Sequence, residues 1–311
     1  MSRPVYPAKA GAGDVGSFDV AALDALIELA RREDLGEAGD ITSQTVIDQN
    51  ATGAAAFVAR AEGVLAGAAV VDRVFAAYDA KLAVLWGAAD GMAVTGGQRL
   101  GTVSGSLRSI LAAERVALNF LCRLSGIATA TSRYVRKTGR TKAVIVDTRK
   151  TAPGWRSLEK YAVRCGGGVN HRMGLHDMVL VKDNHRAARG LTDLAPLVAA
   201  IRQRVPNGIP IEVEVDDLDQ FARVLDAGAD IIMLDNMSVE DMAEAVQIRD
   251  AEGRKTDRWP LLEASGRITL ANVRQVAQTG VDRIAIGAIT HSAPILDIGL
   301  DLLTEHSGGD A

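Results

Sequence analysis

The first part of the chain mixes helical and strand-like hydrophobic patterns. Phe18–Asp34 has apolar residues at helical spacing, with Leu23, Ile27 and Ala30 on one stripe, and Asp40 begins a turn with helix-capping chemistry. Ser125-Gly126 is expected to break a long helix. The pattern predicts helices at Ala68–Tyr78, Leu107–Leu124 and from there to about Lys137, strands at Ala55–Arg60 and Leu82–Trp86, and a further strand within Gly91–Gly105. This mixture indicates an α+β domain.

The pattern changes after Gly139, where apolar, β-rich runs alternate with helical stretches. The runs lack polar alternation, which is typical of parallel strands buried on both faces. Strands are predicted at Ala143–Val146, Met178–Val181, Ile211–Val215, Ile231–Leu234, Pro260–Leu262 and Arg283–Ile286. Helices are predicted at Arg156–Val163, Leu191–Val205, Leu218–Ala227, Val239–Arg249 and Leu270–Gln278. Strand–helix repetition of this kind forms either a closed α/β barrel or an open doubly wound sheet.

Polar residues at the strand ends favour the barrel. They are Asp147 with Arg149 and Lys150, then Lys182, Glu214, Asp235, Glu263 with Ser265, and Gly287. A barrel gathers the carboxyl ends of its strands around one mouth, where its chemistry takes place, whereas an open sheet focuses only the residues near its switch point.

Composition narrows the class of protein. With 311 residues, 48% of them apolar, the chain can form a sizeable core and two domains. No uninterrupted apolar run is long enough to span a membrane, and residues 1–17, which we expect to form a disordered tail, lack a signal-peptide core. Two cysteines, Cys122 and Cys165, are too few for a disulfide framework. We therefore expect a cytoplasmic protein with reduced thiols.

The segment from Val146 to Arg186 is locally basic. It contains eight Lys/Arg and four Asp/Glu, a local charge of 8 − 4 = +4, in a chain of formal charge −4. Arg149 can clamp a carboxylate or phosphate, Lys150 and Lys182 are point charges, and His171-Arg172 follow a triple glycine. A small polyanionic substrate fits this short region better than nucleic acid, which needs an extended stripe. The alternative is a solvated basic surface.

Three histidines and three acidic residues are candidate metal ligands. His171, His176 and His185 fit no common zinc spacing, so anion contact or helix capping is favoured. Glu212 and Glu214 project from the same side of one strand, and Asp235 ends the next. These carboxylates could hold Mg²⁺, sugar hydroxyls or a developing positive charge. The alternative is a buried ion pair with Lys182 or Arg149.

Two glycine turns are compatible with phosphate binding. Ser265-Gly266 and Ile286-Gly287-Ala288 follow the last two predicted strands, the position of the phosphate cradle in many barrels. Arg115 lies on a predicted helix, and composition alone does not separate a surface arginine from a functional one.

Long motifs resemble one enzyme family. VDTRKTAPGWRSLEKYAVRCGGGVNHRMGLHDMVLVKDNH is similar to the signature of quinolinate phosphoribosyltransferases. The same family's motifs resemble, in the same order, ERVALNFLCRLSGIAT, IEVEVDDLDQ, ADIIMLDNM, LLEASGRI and IAIGAITHSAP. The resemblance runs from about Glu33 to Leu300.

The resemblance implies an irregular parallel α/β barrel with an N-terminal α+β sandwich domain. The sandwich would cover residues 18–125, with residues 292–311 packing back on it, and the barrel would cover 126–291. It also implies transfer of phosphoribosyl from phosphoribosyl pyrophosphate to quinolinate with Mg²⁺ as cofactor, giving nicotinate mononucleotide, pyrophosphate and CO₂. The implied assembly is a homodimer, or a hexamer of dimers.

The resemblance also assigns roles. Arg149, His171 and Arg172 would bind the quinolinate carboxylates, with Arg115 donated across the dimer interface. The remaining implied substrate contacts are Thr148, Lys150, Lys182, Glu214, Asp235, Ser265, Gly266, Arg267, Ile286, Gly287 and Ala288. Lys150, Glu214 and Asp235 would be catalytic, and the two acids would also hold Mg²⁺, partly through water or substrate. Arg267 stands where the family usually has a glycine, and Ala152 and Trp155 depart as well.

Several alternatives remain open at this point. A nicotinate phosphoribosyltransferase, or a relative associated with molybdenum transport, would share the fold. A mono-acid substrate should need fewer cations than the Arg115/Arg149/His171/Arg172 set. Lys182 could instead be a Schiff-base lysine of a barrel aldolase. A non-catalytic anion-binding protein fits less well, because acidic and basic groups both converge on the mouth.

Overall fold

The computed structural model describes residues 16–190 and 194–303. The prediction of a disordered tail at residues 1–17 therefore falls, apart from Gly16 and Ser17, outside the described residues, as do residues 191–193 and 304–311. By their internal contacts the described residues form two compact units. The barrel unit contains Thr131–Thr151 and Gly168–Ser292, and the antiparallel unit contains residues 16–130, Ala152–Gly167 and residues 293–303.

Helices and strands follow one another closely along the chain. The helices are α1 Val20–Leu35, α2 Ile41–Val46, α3 Ala68–Tyr78, α4 Leu107–Thr138, α5 Arg156–Cys165, α6 Asp183–Arg189, α7 Ala195–Arg204, α8 Leu218–Ala227, α9 Val239–Thr256, α10 Val273–Gln278 and α11 Ala288–His291. The strands are β1 Thr52–Ala59, β2 Gly63–Val64, β3 Ala83–Trp86, β4 Ala93–Val94, β5 Arg99–Ser106, β6 Val144–Val146, β7 Val179–Val181, β8 Ile211–Val215, β9 Ile231–Asp235, β10 Leu261–Ser265, β11 Arg283–Ala285 and β12 Ile298–Leu303.

Parallel strands form the centre of the barrel unit. Among the described residues six strands pair in the order β6-β11-β10-β9-β8-β7. Every residue of β8 and β11 is buried, as expected for strands covered on both faces. Caps set the helix starts, because Asp217 accepts from the backbone N–H of Gln220 before α8 and Ser238 accepts from that of Asp241 before α9. The predicted α/β fold class is confirmed.

The barrel is irregular beside β6. Val169 forms an isolated parallel bridge with Val146, donates its N–H to Ile145 O at 2.8 Å and accepts from Asp147 N at 3.3 Å. A single residue therefore pairs with β6 where a regular barrel would have a strand. The loop that continues from Val169 carries His171 and Arg172 directly beside the end of β6.

The antiparallel unit is built on a different sheet. Its strands pair in the order β12-β1-β5-β3, with β2 and β4 forming a separate two-stranded ribbon. Strand β12 comes late in the chain but pairs antiparallel with β1, with Ala54 opposite Leu303 and Ala59 opposite Ile298. Phe57 anchors the core by stacking on Trp86, with ring centroids 4.9 Å apart, and by packing edge-on against Phe75.

Helix α4 corrects one prediction. It runs unbroken from Leu107 to Thr138, so the predicted break at Ser125-Gly126 is wrong. Gly126 instead allows close packing within the antiparallel unit, because a Cβ at this position would lie 2.1 Å from the Pro294 carbonyl oxygen and 2.8 Å from Ile295 Cα. The missing side chain of Gly126 lets Pro294 and Ile295 pack directly against the helix backbone. This close contact outweighs the low helix propensity of glycine.

Other predicted elements were found with shifted ends. The strand predicted at Pro260–Leu262 extends to Ser265, because Glu263 continues the strand with its side chain buried. The helix predicted to end at Arg249 continues to Thr256 and ends at Asp257, which adopts φ 55. Helix α6, whose N-terminus carries His185, and strand β12 were not predicted as elements.

Candidate active site

A cavity of about 160 Å³ opens among the strand ends of the barrel unit. Four cationic side chains line it, together with residues from the neighbouring strands. The lining residues are Thr148, Arg149, Lys150, His171, Arg172, Leu180, Lys182, Met233, Glu263, Ser265 and Ala285. Seven of these were predicted as substrate contacts (Thr148, Arg149, Lys150, His171, Arg172, Lys182 and Ser265). The cavity is therefore a strongly positive pocket with one carboxylate, Glu263, in its wall.

Strand register explains why these side chains meet. Glu214, Met233, Glu263 and Arg283 are partners across β8, β9, β10 and β11, so their side chains share one face of the sheet. Glu212 lies two residues before Glu214 and projects to the same side. This face forms the floor and lower wall of the pocket.

Lys182 follows β7 and lies at the pocket rim. Its Nζ donates to Glu214 Oε2, and the Glu214 side chain is only 6% exposed. The Lys182 backbone N–H donates to His185 Nδ1 at 2.9 Å, so His185 caps α6 rather than lining the pocket. Helix capping, one of the roles considered for the histidines, thus accounts for His185.

The turn after β6 fixes Thr148, Arg149 and Lys150. The Lys150 N–H donates to Thr148 Oγ1 at 3.1 Å, and the Lys150 carbonyl accepts from Thr290 Oγ1 at 2.8 Å. A Cβ on Gly287 would lie 3.2 Å from Lys150 Cδ, so this glycine brings the last βα turn against the lysine stem. Thr290 and Gly287 thereby hold the turn after β11 against the turn after the neighbouring strand β6.

His171 and Arg172 form the third cationic part of the pocket. The backbone N–H of His171 donates to Asp147 Oδ1 at 2.9 Å, and the Asn170 amide donates to Asp147 Oδ2 at 2.7 Å. Arg172 donates its N–H to His171 Nδ1 at 2.7 Å and its Nη1 to the Met178 carbonyl at 3.2 Å. Burial and the nearby Arg149 lower the pKa of Arg172. The two guanidinium groups therefore repel each other, and an anion between them would relieve that repulsion.

A buried network of ionisable groups lies against His171. Its Nε2 is 3.0 Å from Glu212 Oε2 and 3.3 Å from Glu263 Oε1, and Arg283 Nε is 2.8 Å from Glu263 Oε2. Both carboxylates are fully buried and Arg283 is 5% exposed. We refer to Glu212, Glu263 and Arg283 together as the buried triad.

The charges of the buried triad shift one another. Burial and the neighbouring Glu263 raise the pKa of Glu212. Burial alone would raise the pKa of Glu263 too, but Arg283 and His171 outweigh it and lower that pKa. Burial disfavours the charged form of His171, yet the carboxylates of Glu263 and Glu212 outweigh it and raise the His171 pKa to about 9. Glu263, with Arg283 beside it, is accordingly the more readily ionised carboxyl group of the pair.

The protonation of His171 is subject to opposing influences. The carboxylates favour the imidazolium form, whereas the Arg172 N–H donates to an Nδ1 lone pair that only the neutral ring has. Both forms carry a proton on Nε2, the ring nitrogen that lies 3.0 Å from Glu212 Oε2 and 3.3 Å from Glu263 Oε1. The ligand atoms of His171, Glu212 and Glu263 lie within 4.8 Å of one another, a spacing that suits a metal ion. Arg283 already supplies the positive charge there, so the arrangement is that of an internal ion network.

The other predicted residues are not among those that line the cavity. Asp235 ends β9 and its Oδ2 accepts from the Asn236 amide at 2.6 Å. Gly266 has φ 86, and a Cβ there would lie 2.3 Å from Asn236 Oδ1, so glycine is required. Arg267 has φ 50, a left-handed conformation that favours glycine. Ile286 is 2% exposed and its N–H donates to Val146 O. Arg115 is exposed on α4, in the antiparallel unit.

Four residues of the cavity wall were not predicted from the sequence. Leu180, Met233, Ala285 and Glu263 line the cavity but were not proposed as site residues, and Arg283 was noted only as the start of a strand. An arginine and two glutamates within apolar strands are a usable signal, because charged groups are rarely buried without a partner. The triple glycine does not line the cavity. Gly166 caps α5 and Gly167 adopts φ 82.

Comparison with known proteins places the chain in a family. Residues 40–125 match the N-terminal domain of quinolinate phosphoribosyl transferase, and residues 127–301 match its C-terminal domain. The chain belongs to the quinolinate phosphoribosyl transferase family. It is 45% identical over 280 residues to the nicotinate-nucleotide pyrophosphorylase [carboxylating] of Mycobacterium leprae, covering 89% of this chain and 95% of that protein. A probable enzyme of the same name from Synechocystis is 42% identical over 271 residues, 87% of this chain and 89% of that one.

Solved structures agree with the sequence relatives. The nicotinate-nucleotide pyrophosphorylase of Francisella tularensis superposes with a TM-score of 0.85 at 35% identity, covering 94% of this chain and all of that one. Human nicotinic acid phosphoribosyltransferase superposes with a TM-score of 0.56 at 13% identity, covering 92% of this chain and 74% of that one, which is a likeness of fold alone. Within the described ranges, none of the helices of this quinolinate phosphoribosyl transferase family member is long and apolar enough to cross a membrane.

Proposed function

We propose that the cationic pocket of the barrel unit is the site where the chain transfers phosphoribosyl from phosphoribosyl pyrophosphate to quinolinate. The reaction includes decarboxylation and yields nicotinate mononucleotide, pyrophosphate and CO₂, a step of NAD biosynthesis. One observation carries the assignment to this pocket. Arg149, Lys150, Arg172 and Lys182 converge on a single cavity in a chain whose overall charge is negative.

Quinolinate would be held by its two carboxylates. Arg149 lies close enough to Arg172 to lower the pKa of Arg172, and a dianion between them would make charge-assisted hydrogen bonds with both. His171 would complete this set from the barrel unit. Each such bond contributes about 1.5–3 kcal/mol, so two carboxylates distinguish quinolinate from a mono-acid by one such contact or more.

Phosphoribosyl pyrophosphate would occupy the other side of the pocket. Lys150 and Lys182 carry point charges for its phosphates, and Thr148 and Ser265 offer hydroxyl groups there. The 5′-phosphate would contact the backbone of the two glycine turns at Gly266 and Gly287, with Arg267, Ile286 and Ala288 beside them. Gly266 and Gly287 are positions where a side chain would crowd the turn, which supports a close backbone approach.

Mg²⁺ is the cofactor that we propose for the pyrophosphate. This ion binds oxygen ligands, keeps several of its waters, and takes one or two carboxylates together with substrate phosphates. Glu214 and Asp235 supply such a pair of carboxylates from the ends of neighbouring strands, so the residues fit. When bound, Mg²⁺ would neutralise charge on the departing pyrophosphate.

The protein's own part in the reaction is orientation and charge placement. The pyridine nitrogen of quinolinate forms a bond to C1 of the ribose while the C1–O bond to pyrophosphate breaks. Glu214 and Asp235 would stabilise the positive charge that develops on the ribose. The ring nitrogen is then cationic. It stabilises the electron pair left on the ring carbon when the adjacent carboxylate departs as CO₂, and that carbon takes up a proton.

The proposed assembly is a homodimer, or a hexamer built of dimers, in which Arg115 of one protomer reaches the pocket of its partner. The exposed position of Arg115 on α4 supports a role in the pocket of a neighbouring protomer. Mixing Arg115→Ala subunits with Arg172→Ala subunits tests this arrangement, because one composite site of a mixed dimer would keep both arginines. Partial recovery of activity is expected, and its absence in a verified mixed dimer would contradict the shared site.

We place the reaction in the cytoplasm, with both cysteines reduced. Cys122 and Cys165 are free and buried. Some of the plant relatives, by contrast, are named as chloroplastic or mitochondrial proteins.

The decisive experiment measures products. Purified chain is supplied with phosphoribosyl pyrophosphate, Mg²⁺ and quinolinate labelled at the carboxylate beside the ring nitrogen, and labelled CO₂ and nicotinate mononucleotide are quantified. Equimolar release of both is expected, with little product when nicotinate replaces quinolinate. Preference for nicotinate would support a nicotinate phosphoribosyltransferase instead. The aldolase alternative is not supported, because both matched family models are quinolinate phosphoribosyl transferase domains.

A further inference from the structure

The buried triad has no part in the roles assigned so far, although it touches the pocket. Glu263 lines the cavity and both buried carboxylates are within hydrogen-bonding distance of His171 Nε2. Removing two glutamates and an arginine from water is unfavourable, and apolar residues of similar volume often stabilise a fold as well or better. A barrel interior therefore does not need this network for stability. Its position beneath the cationic pocket suggests a purpose connected with the ligand.

A continuous chain of contacts leads from the triad to Arg172. Arg283 holds Glu263, Glu263 and Glu212 hold His171 Nε2, and His171 Nδ1 accepts the backbone N–H of Arg172. The imidazole ring thus accepts a hydrogen bond at Nδ1 and lies within ion-pair distance of both carboxylates at Nε2. Its orientation fixes the backbone from which the Arg172 side chain extends into the cavity.

Within the buried triad, Arg283 also keeps the negative charge of Glu263 from pairing with the cations of the pocket. Glu263 shares the cavity with Arg172, and an ionised Glu263 without its own cation would attract it, whereas Lys182 already donates to Glu214. Arg283 supplies that cation from below, 2.8 Å from Glu263. The cations of the pocket then remain available for an anionic ligand.

We propose that Glu212, Glu263 and Arg283 are positioning residues for the His171–Arg172 pair, and that they act on binding of the pyridine dicarboxylate and not on binding of the phosphoribosyl donor. The inference rests on the proposed function, because it takes this pocket as the quinolinate site. It assigns no proton transfer to the triad. The carboxylates and Arg283 orient and neutralise, and His171 and Arg172 face the ligand.

Steady-state kinetics with each substrate varied in turn tests the inference. In Arg283→Gln, Glu263 loses its cation, and the KM for quinolinate should rise about tenfold or more while the KM for phosphoribosyl pyrophosphate stays within about twofold. Glu263→Gln, which keeps the shape but leaves Arg283 without its counter-ion, should show the same selectivity. The double variant Glu263→Gln/Arg283→Gln leaves no uncompensated charge and should recover part of the quinolinate KM.

Arg249→Gln is the matched control. Arg249 is another buried arginine of the barrel unit, 4% exposed, and its Nη1 donates to Asp282 at 2.7 Å and to the Pro260 carbonyl. Asp282 and Pro260 precede strands β11 and β10, so this pair lies at the opposite ends of the strands from the pocket. Its loss should lower the melting temperature and leave both KM values unchanged.

The outcomes separate the two proposals. If wild-type protein neither binds nor converts quinolinate, the proposed function fails and this inference fails with it. If wild type is active but Arg283→Gln and Glu263→Gln change the quinolinate KM by less than twofold, the triad has no positioning role while the function stands. Equal increases in both KM values, or a double variant worse than either single one, would indicate a general structural defect and overturn the inference. Isothermal titration with quinolinate alone provides the same comparison for any variant too slow to assay.

Discussion

Replacing Gly126 with alanine tests why a glycine stands in the middle of helix α4. Two effects of opposite sign compete. Alanine is the better helix former by about 1 kcal/mol, so propensity alone predicts a more stable protein. The added Cβ, however, would lie 2.1 Å from Pro294 O, 2.8 Å from Ile295 Cα and 3.0 Å from Ile295 C. All three are backbone atoms, so a side-chain rotation cannot relieve the collision.

The magnitude follows from what must move. Overpacking a tight site costs about 1–3 kcal/mol and occasionally more, and a contact this short belongs at the upper end. Displacing residues 293–296 also strains the hydrogen bond from Leu296 N to Cys122 O, a contact of about 1 kcal/mol. After the gain in helix propensity is subtracted, Gly126→Ala should lower the free energy of unfolding by about 3 kcal/mol.

Urea unfolding followed by tryptophan fluorescence measures this effect, because Trp86 and Trp155 both belong to the antiparallel unit. Gly139→Ala is the matched control, since the nearest atom to its added Cβ, Arg136 O, is 3.4 Å away. The control should be close to wild type. A Gly126→Ala protein as stable as wild type, or more stable, would refute the packing explanation and leave helix propensity as the dominant effect.

Three further predictions concern the pocket and the barrel. Arg172→Ala should lower kcat/KM for quinolinate by roughly ten- to a hundredfold, since one charge-assisted contact is lost, and wild-type kinetics would remove Arg172 from the site. Gly266 has φ 86 and faces Asn236, so Gly266→Ala should raise the KM for phosphoribosyl pyrophosphate more than the KM for quinolinate in steady-state kinetics. Gly97→Ala, also at positive φ but in open space, controls for backbone strain. Burial would raise the pKa of Asp282, but hydrogen bonds and charges from the Leu262 N–H, Lys142 and Arg249 outweigh it and lower that pKa. The ionised Asp282 therefore stabilises the fold above the unfolded-state pKa of 3.8. This stabilisation is lost as the pH falls through the lower folded-state pKa. Asp282→Asn should cost about 3 kcal/mol at pH 7 and flatten the acid limb of thermal stability, and an unchanged acid limb would contradict this.

The sequence predicted the strand ends of the barrel well, because local pattern is enough to find them. Lys182 and Asp235 each follow an apolar run, and a parallel barrel brings such positions together whatever the detailed packing. Seven of the proposed contacts line one cavity for that reason.

Features set by tertiary contact were missed. Glu212 and Glu214 project from the same side of β8, yet one reaches His171 and the other Lys182. That separation depends on which distant parts of the chain, the loop after Val169 or the end of β7, lie beside each carboxylate, which no local pattern records. Gly126 is a similar case, since its role depends on Pro294, more than 160 residues further along the chain. Helix α4 shows that a glycine in a helical pattern can signal close approach by another segment rather than a break.

The pairing of β12 with β1 has a consequence for how the protein is made. One side of β1 is covered by β5 early in synthesis, but the other side is covered only when Ile298–Leu303 has left the ribosome, after the whole barrel unit has been translated. Until then β1 presents open backbone donors and acceptors to any neighbouring strand, including the same segment of a second nascent copy. A stop codon just before Ile298 would make that exposure permanent, and the truncated product should be recovered mainly from the insoluble fraction.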